Sequence, residues 1–188
     1  PEPVHIDDYA SPVFSPEVAE MIEMAAPMAD LLPLEVDAIC DQASAELSAS
    51  GRPYEDFGDP GFRDRMAVLL DAYCQVPELS PMGRITVHTL FVQLCRNRLL
   101  LEDLFARHPE AAEIEIAAPI IIAGLPRTGT THLHNLLAAD PALRALPYWE
   151  ACEPLPLPTD VAGIDGRDGR WDRTAGACDF LDAATPYF

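Results

Sequence analysis

The sequence predicts an α/β fold in two parts. Residues 1–113 form an α-helical lobe, and residues 114–188 form the first part of a domain with a parallel sheet. The lobe is predicted because apolar side chains recur at helical spacing behind helix-start signals. The sheet is predicted because the short β-branched run 120–123 is typical of a strand that is covered on both faces, as in parallel sheets.

Four amphipathic helices are expected in the lobe. Pro27 lies inside the first of them and should kink or split it, because proline cannot donate the helical hydrogen bond. The third should bury Phe62, Met66, Leu69, Tyr73 and Val76, and His88 is expected to be an interior or boundary residue of the fourth. Start and end signals place the helices from Ser15-Pro16 to Leu32, from Pro33 to Gly51, from Asp59-Pro60 to Val76 and from Ser80-Pro81 to His108-Pro109.

After the predicted strand, a helix is expected over residues 130–139, with Leu133, Leu136 and Leu137 packed against the sheet. Residues 147–173 are rich in proline and glycine and predict a long loop, which in a compact domain is usually functional or mobile. A short helix is expected over residues 174–184.

Composition narrows the class of protein. The 188 residues carry a formal net charge of −19, which disfavours nucleic acid as a partner. All 12 basic residues are arginines, so any cation in a site must be arginine or histidine. The five scattered cysteines favour reduced thiols over a disulfide framework or a zinc site. No signal peptide and no integral membrane segment is apparent, which predicts a cytoplasmic protein.

The residues Gly-Leu-Pro-Arg-Thr-Gly-Thr-Thr, numbered 124–131, join the predicted strand to the following helix. At such a junction the unpaired N–H groups and the helix dipole favour an anion. Gly124 and Gly129 allow the backbone to curl around a phosphate. Arg127, Thr130 and Thr131 add one cation and two hydroxyl donors.

The two glycines match the loop of nucleoside triphosphatases, G-x-x-x-x-G-K-[ST]. Thr130, however, occupies the position of the lysine that reaches the β- and γ-phosphates. This difference weakens a kinase or NTP-binding protein as an interpretation, although it stays an alternative, as does a non-catalytic nucleotide-binding remnant. No hydrophobic run ending in Asp follows residue 131 to provide a magnesium ligand.

Pro126, Arg127, Thr128 and the Gly-Thr-Thr that follows resemble the 5′-phosphosulfate loop of the sulfotransferases, in the form seen in tyrosylprotein and many bacterial members. The resemblance implies a P-loop-type α/β fold and 3′-phosphoadenosine 5′-phosphosulfate (PAPS) as the co-substrate, with no metal required. It places Arg127 against the 5′-phosphate and the leaving oxygen. The loop positions implied to hold the phosphate are Gly124, Pro126, Thr128, Gly129, Thr130 and Thr131. His132 stands where the cytosolic enzymes carry a tryptophan that stacks on adenine.

The transfer also needs a general base for the acceptor hydroxyl. Glu150 is the first candidate, since the resemblance places a catalytic glutamate after the helix that follows the loop. An ion pair with Arg144 is the structural alternative for the same residue. His134 and His132 are further candidates for the base, and Tyr148 and Trp149 are candidates for the acceptor pocket.

The acceptor is expected to be a hydroxyl of a small molecule, glycan or lipid, and the sequence leaves its identity and the oligomeric state open. The family binds the adenosine 3′-phosphate with an arginine and a serine from elements well after the loop. Only 57 residues follow Thr131, and they contain no second β-branched run. The chain is therefore expected to be an incomplete sulfotransferase, with the 3′-phosphate site beyond residue 188.

Overall fold

The computed structural model describes residues 13–76, 79–160 and 166–184. Outside these residues lie the first residues of the chain, Gly163 of the predicted loop 147–173, and the segment 185–188. The helices are α1 (Pro16–Ala29), α2 (Val36–Ser48), α3 (Gly61–Cys74), α4 (Pro81–Arg107), a 3-10 helix (Pro109–Glu113), α5 (Thr130–Ala138), α6 (Tyr148–Cys152) and α7 (Gly169–Ala184).

The predicted parallel sheet is wrong for the described residues. They are 62% helical and contain no strand. Residues 120–123 are not covered on both faces either, since Ile120 is 61% and Ile121 is 82% exposed. A strand exists only where a neighbouring strand accepts and donates its backbone hydrogen bonds, and no described segment pairs with this one. The β-branched run therefore stays irregular.

The described residues of the predicted lobe form α1 to α4 and the 3-10 helix. Helices α1 and α4 begin where their capping residues predict, whereas α2 begins at Val36, after the predicted start at Pro33. The Ser80 hydroxyl accepts a hydrogen bond from the Gly83 N–H at 3.0 Å, and Pro81 follows in the first turn of α4. Ser15 caps α1 in the same way. Helix α1 is not split at Pro27, because it continues through this residue to Ala29.

The core lies between α4 and the helices packed around it. Ile39, Cys40 and Ala43 of α2 are buried against α4 residues such as Cys95 and Leu99. No described helix is both long and apolar enough to cross a membrane.

The predicted inner face of α3 is partly wrong. Phe62 and Met66 are buried as expected, but Leu69, Tyr73 and Val76 are exposed, and Leu70 is buried instead. The buried residues lie four apart and form one narrow stripe. Apolar residues lie on two sides of α3, so the sequence pattern allows either side to be the buried one. Packing against α2 and α4 buries the side that carries Phe62, Met66 and Leu70.

His88 is an interior residue, 1% exposed, as the sequence predicts. Its Nδ1 lies 2.8 Å from the Pro33 carbonyl oxygen, and its Nε2 lies 2.9 Å from Oε1 of Gln42. The imidazole thus links α4 to the segment before α2 and to α2 itself. A buried polar side chain is tolerated here because both ring nitrogens have a partner.

The predicted loop 147–173 is more ordered than expected. It contains α6, and α7 begins at Gly169 rather than at Thr174. The Cys152 carbonyl oxygen accepts hydrogen bonds from Gln93 Nε2 at 3.1 Å and from Asn97 Nδ2 at 2.8 Å, both on α4. Leu155 and Leu157 then pack against the core of the lobe. These contacts attach α6 and the segment after it to the helical lobe.

Replacing His88 with alanine should lower the free energy of unfolding by about 2–4 kcal/mol, because it leaves a cavity and an unpaired carbonyl at Pro33. His108→Ala is the matched control, since that side chain is half exposed and lies beside the exposed Glu110; its effect should stay within about 0.5 kcal/mol. Urea titration of both variants measures the difference. Equal stability of the two variants would contradict the role assigned to His88.

Candidate functional site

The loop before α5 has the backbone conformation that its glycines make possible. Gly129 is the N-cap residue of α5 and has a φ of 89°, in the left-handed region that favours glycine. Arg127 also has a positive φ, of 65°. A non-glycine residue in this region is uncommon, and such residues cluster at functional sites.

Gly124 is required by close packing. A Cβ atom at this position would lie 2.8 Å from Cγ2 of Thr130 and 2.9 Å from Oγ1 of Thr128. The Thr128 hydroxyl donates a hydrogen bond to the Leu125 carbonyl oxygen at 2.6 Å, which holds it in the turn. The loop therefore closes on itself only because residue 124 has no side chain.

No side chain caps the N-terminus of α5. The first N–H groups of a helix have no partner within the helix, and the dipole favours negative charge beside them. A cavity of about 300 Å³ lies here, lined by Arg127, Gly129, Thr130, Thr131 and His132. The structure thus brings together five of the predicted binding residues, which supply one guanidinium, one glycine backbone, two threonine hydroxyls and one imidazole. Gly124, Pro126 and Thr128 shape the loop without lining this cavity.

His134 lies apart from this cavity. It lines a second groove, of about 440 Å³, between residues 116–122 and the segment 142–146, together with Arg144. This separation from His132 follows from helix geometry, because residues two apart point about 200° from each other. The groove is otherwise apolar, and the expected packing of Leu133 and Leu136 against a sheet is absent, since both are exposed.

Glu150 of α6 forms an ion pair with Arg144, which is the structural alternative, expected from the sequence, to a role as the base. Nη2 of Arg144 donates to Oε2 of Glu150 at 2.5 Å, with the Arg144 side chain 73% and the Glu150 side chain 22% exposed. Of its neighbours, Tyr148 is exposed and Trp149 is half-buried under the guanidinium of Arg170. A hydrogen bond with Cys152 raises the pKa of Tyr148.

A charged cluster beside α6 was not predicted. Arg173 of α7 donates to two carboxylates, to Glu153 at 2.5 Å and to Asp160 at 2.6 Å, and Arg170 pairs with Asp168 at 2.7 Å. Glu153 is only 8% exposed. The sequence signal is weak, because the acids lie in an irregular segment up to 20 residues from the arginines.

The arginines of this cluster lower the pKa values of the acids. Hydrogen bonds from Arg173 lower the pKa of Asp160. Hydrogen bonds from the Arg170 side chain and backbone lower the pKa of Asp168 to about 2. Both carboxylates are therefore ionised at neutral pH, where they fix the start of α7 and the segment that follows α6.

The described residues contain no group of three or more His, Cys, Asp or Glu side chains that could hold a metal ion.

Comparison with known proteins gives one match. Residues 119–186 match a family model described as Sulfotransferase family. The matched segment contains the loop, α5, α6 and α7 and excludes the helical lobe, and it supports a sulfotransferase-like function. No curated protein and no solved structure matches the chain.

Replacing Asp168 with asparagine should destabilise the protein at neutral pH but not in strong acid. The folded pKa of about 2 lies below the usual 3.8, so the stabilisation is present above about pH 4 and is lost as the pH falls toward 2. Denaturant titrations between pH 2 and pH 7 measure this difference. Asp172→Asn, at an exposed position in the first turn of α7, is the control. If the difference in unfolding free energy between wild type and D168N stays the same at pH 2, the stabilisation does not come from the ionised Asp168 carboxylate.

Proposed function

We propose that this protein transfers a sulfuryl group from PAPS to an acceptor hydroxyl by in-line displacement. The observation that carries the proposal is the cavity at the N-terminus of α5, lined by Arg127, Gly129, Thr130, Thr131 and His132. It lies within the segment that matches the sulfotransferase family model.

The loop fits the 5′-phosphosulfate chemically. An anion at the start of α5 would meet the first N–H groups of the helix, the favourable end of its dipole and the hydroxyls of Thr130 and Thr131. Gly124 and Gly129 keep side chains out of the backbone curve. Because Thr130 stands in place of the triphosphatase lysine, the charge comes from Arg127.

Arg127 supplies the positive charge where the transition state needs it. In the displacement, the acceptor oxygen forms a bond to sulfur while the bond from sulfur to the bridging phosphate oxygen breaks. Negative charge then builds up on that leaving oxygen, and a guanidinium already in place stabilises it without reorganisation. This gives Arg127 the central catalytic role in the proposal.

The proton of the acceptor hydroxyl goes to a base, and Glu150 is the first candidate. Its carboxylate is held by Arg144, which is largely exposed and can move aside when an acceptor enters. His134 is the alternative, since it lines the groove that also contains Arg144. His132 lines the donor cavity and is assigned to the nucleotide instead.

The acceptor class remains a hydroxyl of a small molecule, glycan or lipid. We place the reaction in the cytoplasm, where reducing conditions suit five unpaired cysteines.

The protein should bind 3′-phosphoadenosine 5′-phosphate (PAP) more tightly than ATP, and without magnesium. The reason is that the loop offers Arg127 but no lysine for the β- and γ-phosphates. Calorimetry with both nucleotides, with EDTA and with MgCl₂, measures this preference. Tighter ATP binding that requires magnesium would favour a phosphate-transfer enzyme, and binding of neither nucleotide would favour a non-catalytic remnant.

The same titration with Arg127→Ala should show PAP affinity reduced by about 10- to 100-fold, as expected for the loss of a charge-assisted hydrogen bond. Arg65→Ala removes the same charge from α3 and should bind PAP as the wild type does.

Gly124→Ala should weaken PAP binding by about tenfold or more, because the added methyl forces Thr128 and Thr130 apart. Gly176→Ala is the matched control: a methyl group there would meet no atom within 4 Å, so binding should not change. Urea titration should show the lobe intact in both variants. Normal PAP affinity in G124A would show that the observed loop shape is not the binding shape.

A further inference from the structure

We propose that Arg170 is a positioning residue that holds α6, and with it Trp149 and Glu150, in place for the transfer reaction. The inference rests on the proposed function, in which Glu150 is the first candidate for the base.

Helix α6 cannot hold its own position. It has only five residues, and helices this short are not stable without tertiary contacts. Its C-terminal end is attached to α4 through the Cys152 carbonyl. That contact fixes the C-terminal end of α6. Other residues must therefore set the orientation of the turn that carries Trp149 and Glu150.

Arg170 contacts α6 and the two residues that follow it. Nη1 donates hydrogen bonds to the carbonyl oxygens of Glu153 at 3.1 Å and Pro154 at 3.0 Å. The Cζ atom lies 4.7 Å from the centre of the Trp149 ring, a favourable cation–π distance. One side chain therefore joins the second residue of the helix to the segment beyond its end.

Arg170 is itself held rigidly. Its Nε and Nη2 donate to Oδ1 and Oδ2 of Asp168 at 2.9 and 2.7 Å. Its side chain is only 13% exposed. The planar fork of arginine makes this arrangement possible, since it pairs with the carboxylate on one edge and keeps donors for carbonyls on another, whereas lysine has a single ammonium group.

Arg144 and Arg170, the two arginines near Glu150, differ in their exposure and in their contacts, and this difference fits a positioning role for Arg170. Arg144 touches the Glu150 carboxylate directly but is 73% exposed, so this pair can open to solvent or substrate. Arg170 is held by Asp168, and its hydrogen bond with Asp168, followed by the charges of Asp168, Glu150 and Glu153, raises its pKa. When Arg144 moves, the backbone of α6 keeps its place because Arg170 still holds it.

The test uses the full chain carrying Trp171→Phe, which leaves Trp149 as the sole tryptophan. In this background Arg170→Ala should make Trp149 more accessible to acrylamide and shift its emission to longer wavelength. Arg170→Lys should do so to a smaller extent. Arg167→Ala, which removes the guanidinium that lies over the aromatic ring at position 171, is the control and should leave Trp149 unchanged.

Conversion of PAPS to PAP and sulfate, with water as the acceptor, supplies the second measurement. R170A should lower kcat by about 10- to 100-fold, the scale for a misplaced catalytic group, while PAP affinity stays that of the parent. Unchanged Trp149 accessibility in R170A overturns the inference, as does a kcat no lower than that of R167A. If R170A does not fold, the same measurements are made on R170K. Acrylamide quenching of Trp149 in R170K that equals quenching in the parent then overturns the proposal. A parent that neither binds nor turns over nucleotide contradicts the proposed function instead, and the quenching data still decide the position of α6.

Discussion

Helix α4 buries its apolar side against α1 and α2 and, through residues such as Cys95, against Met66 of α3, and the lobe and the α6 segment attached to it depend on this packing. The same 27-residue helix carries His88, which orients the start of α2. Farther along, Gln93 and Asn97 bind the Cys152 carbonyl and so connect α6 to the lobe. The lobe is thus the support on which the candidate acid–base residues are mounted.

The donor loop follows a different constraint, which is local to its backbone. Its shape depends on Gly124, where no Cβ fits, and on the left-handed conformation of Gly129. With these two residues in place, α5 presents an uncapped N-terminus beside Arg127, and an anion is the natural partner of that arrangement. The proposed transfer from PAPS needs an anion site with one cation beside it, and in this proposal Arg127 supplies the cation without a lysine.

Features that depend on interactions between neighbouring residues were predicted from the sequence more accurately than features that depend on contacts between distant residues. Capping at Ser80 and the glycine before Thr130 are local, so α4 and α5 were predicted within one or two residues. The pairing of a strand and the choice between two apolar faces of α3 depend on distant neighbours. The strand was predicted wrongly, and the face of α3 was predicted only in part. The bonds of Arg170 and Arg173 to acids across an irregular segment have no periodic signal. Arg144 and Glu150, six residues apart, were near enough to be considered as a pair.

The central claim is that a phosphosulfate nucleotide binds at the start of α5, and amide hydrogen exchange with and without PAP tests it most directly. We expect slower exchange over residues 127–132 when PAP is bound, because their N–H groups gain an anionic acceptor, with little change in α2 and the core of α4. Unchanged exchange in this loop at saturating PAP, or protection confined to the helical lobe, would contradict it.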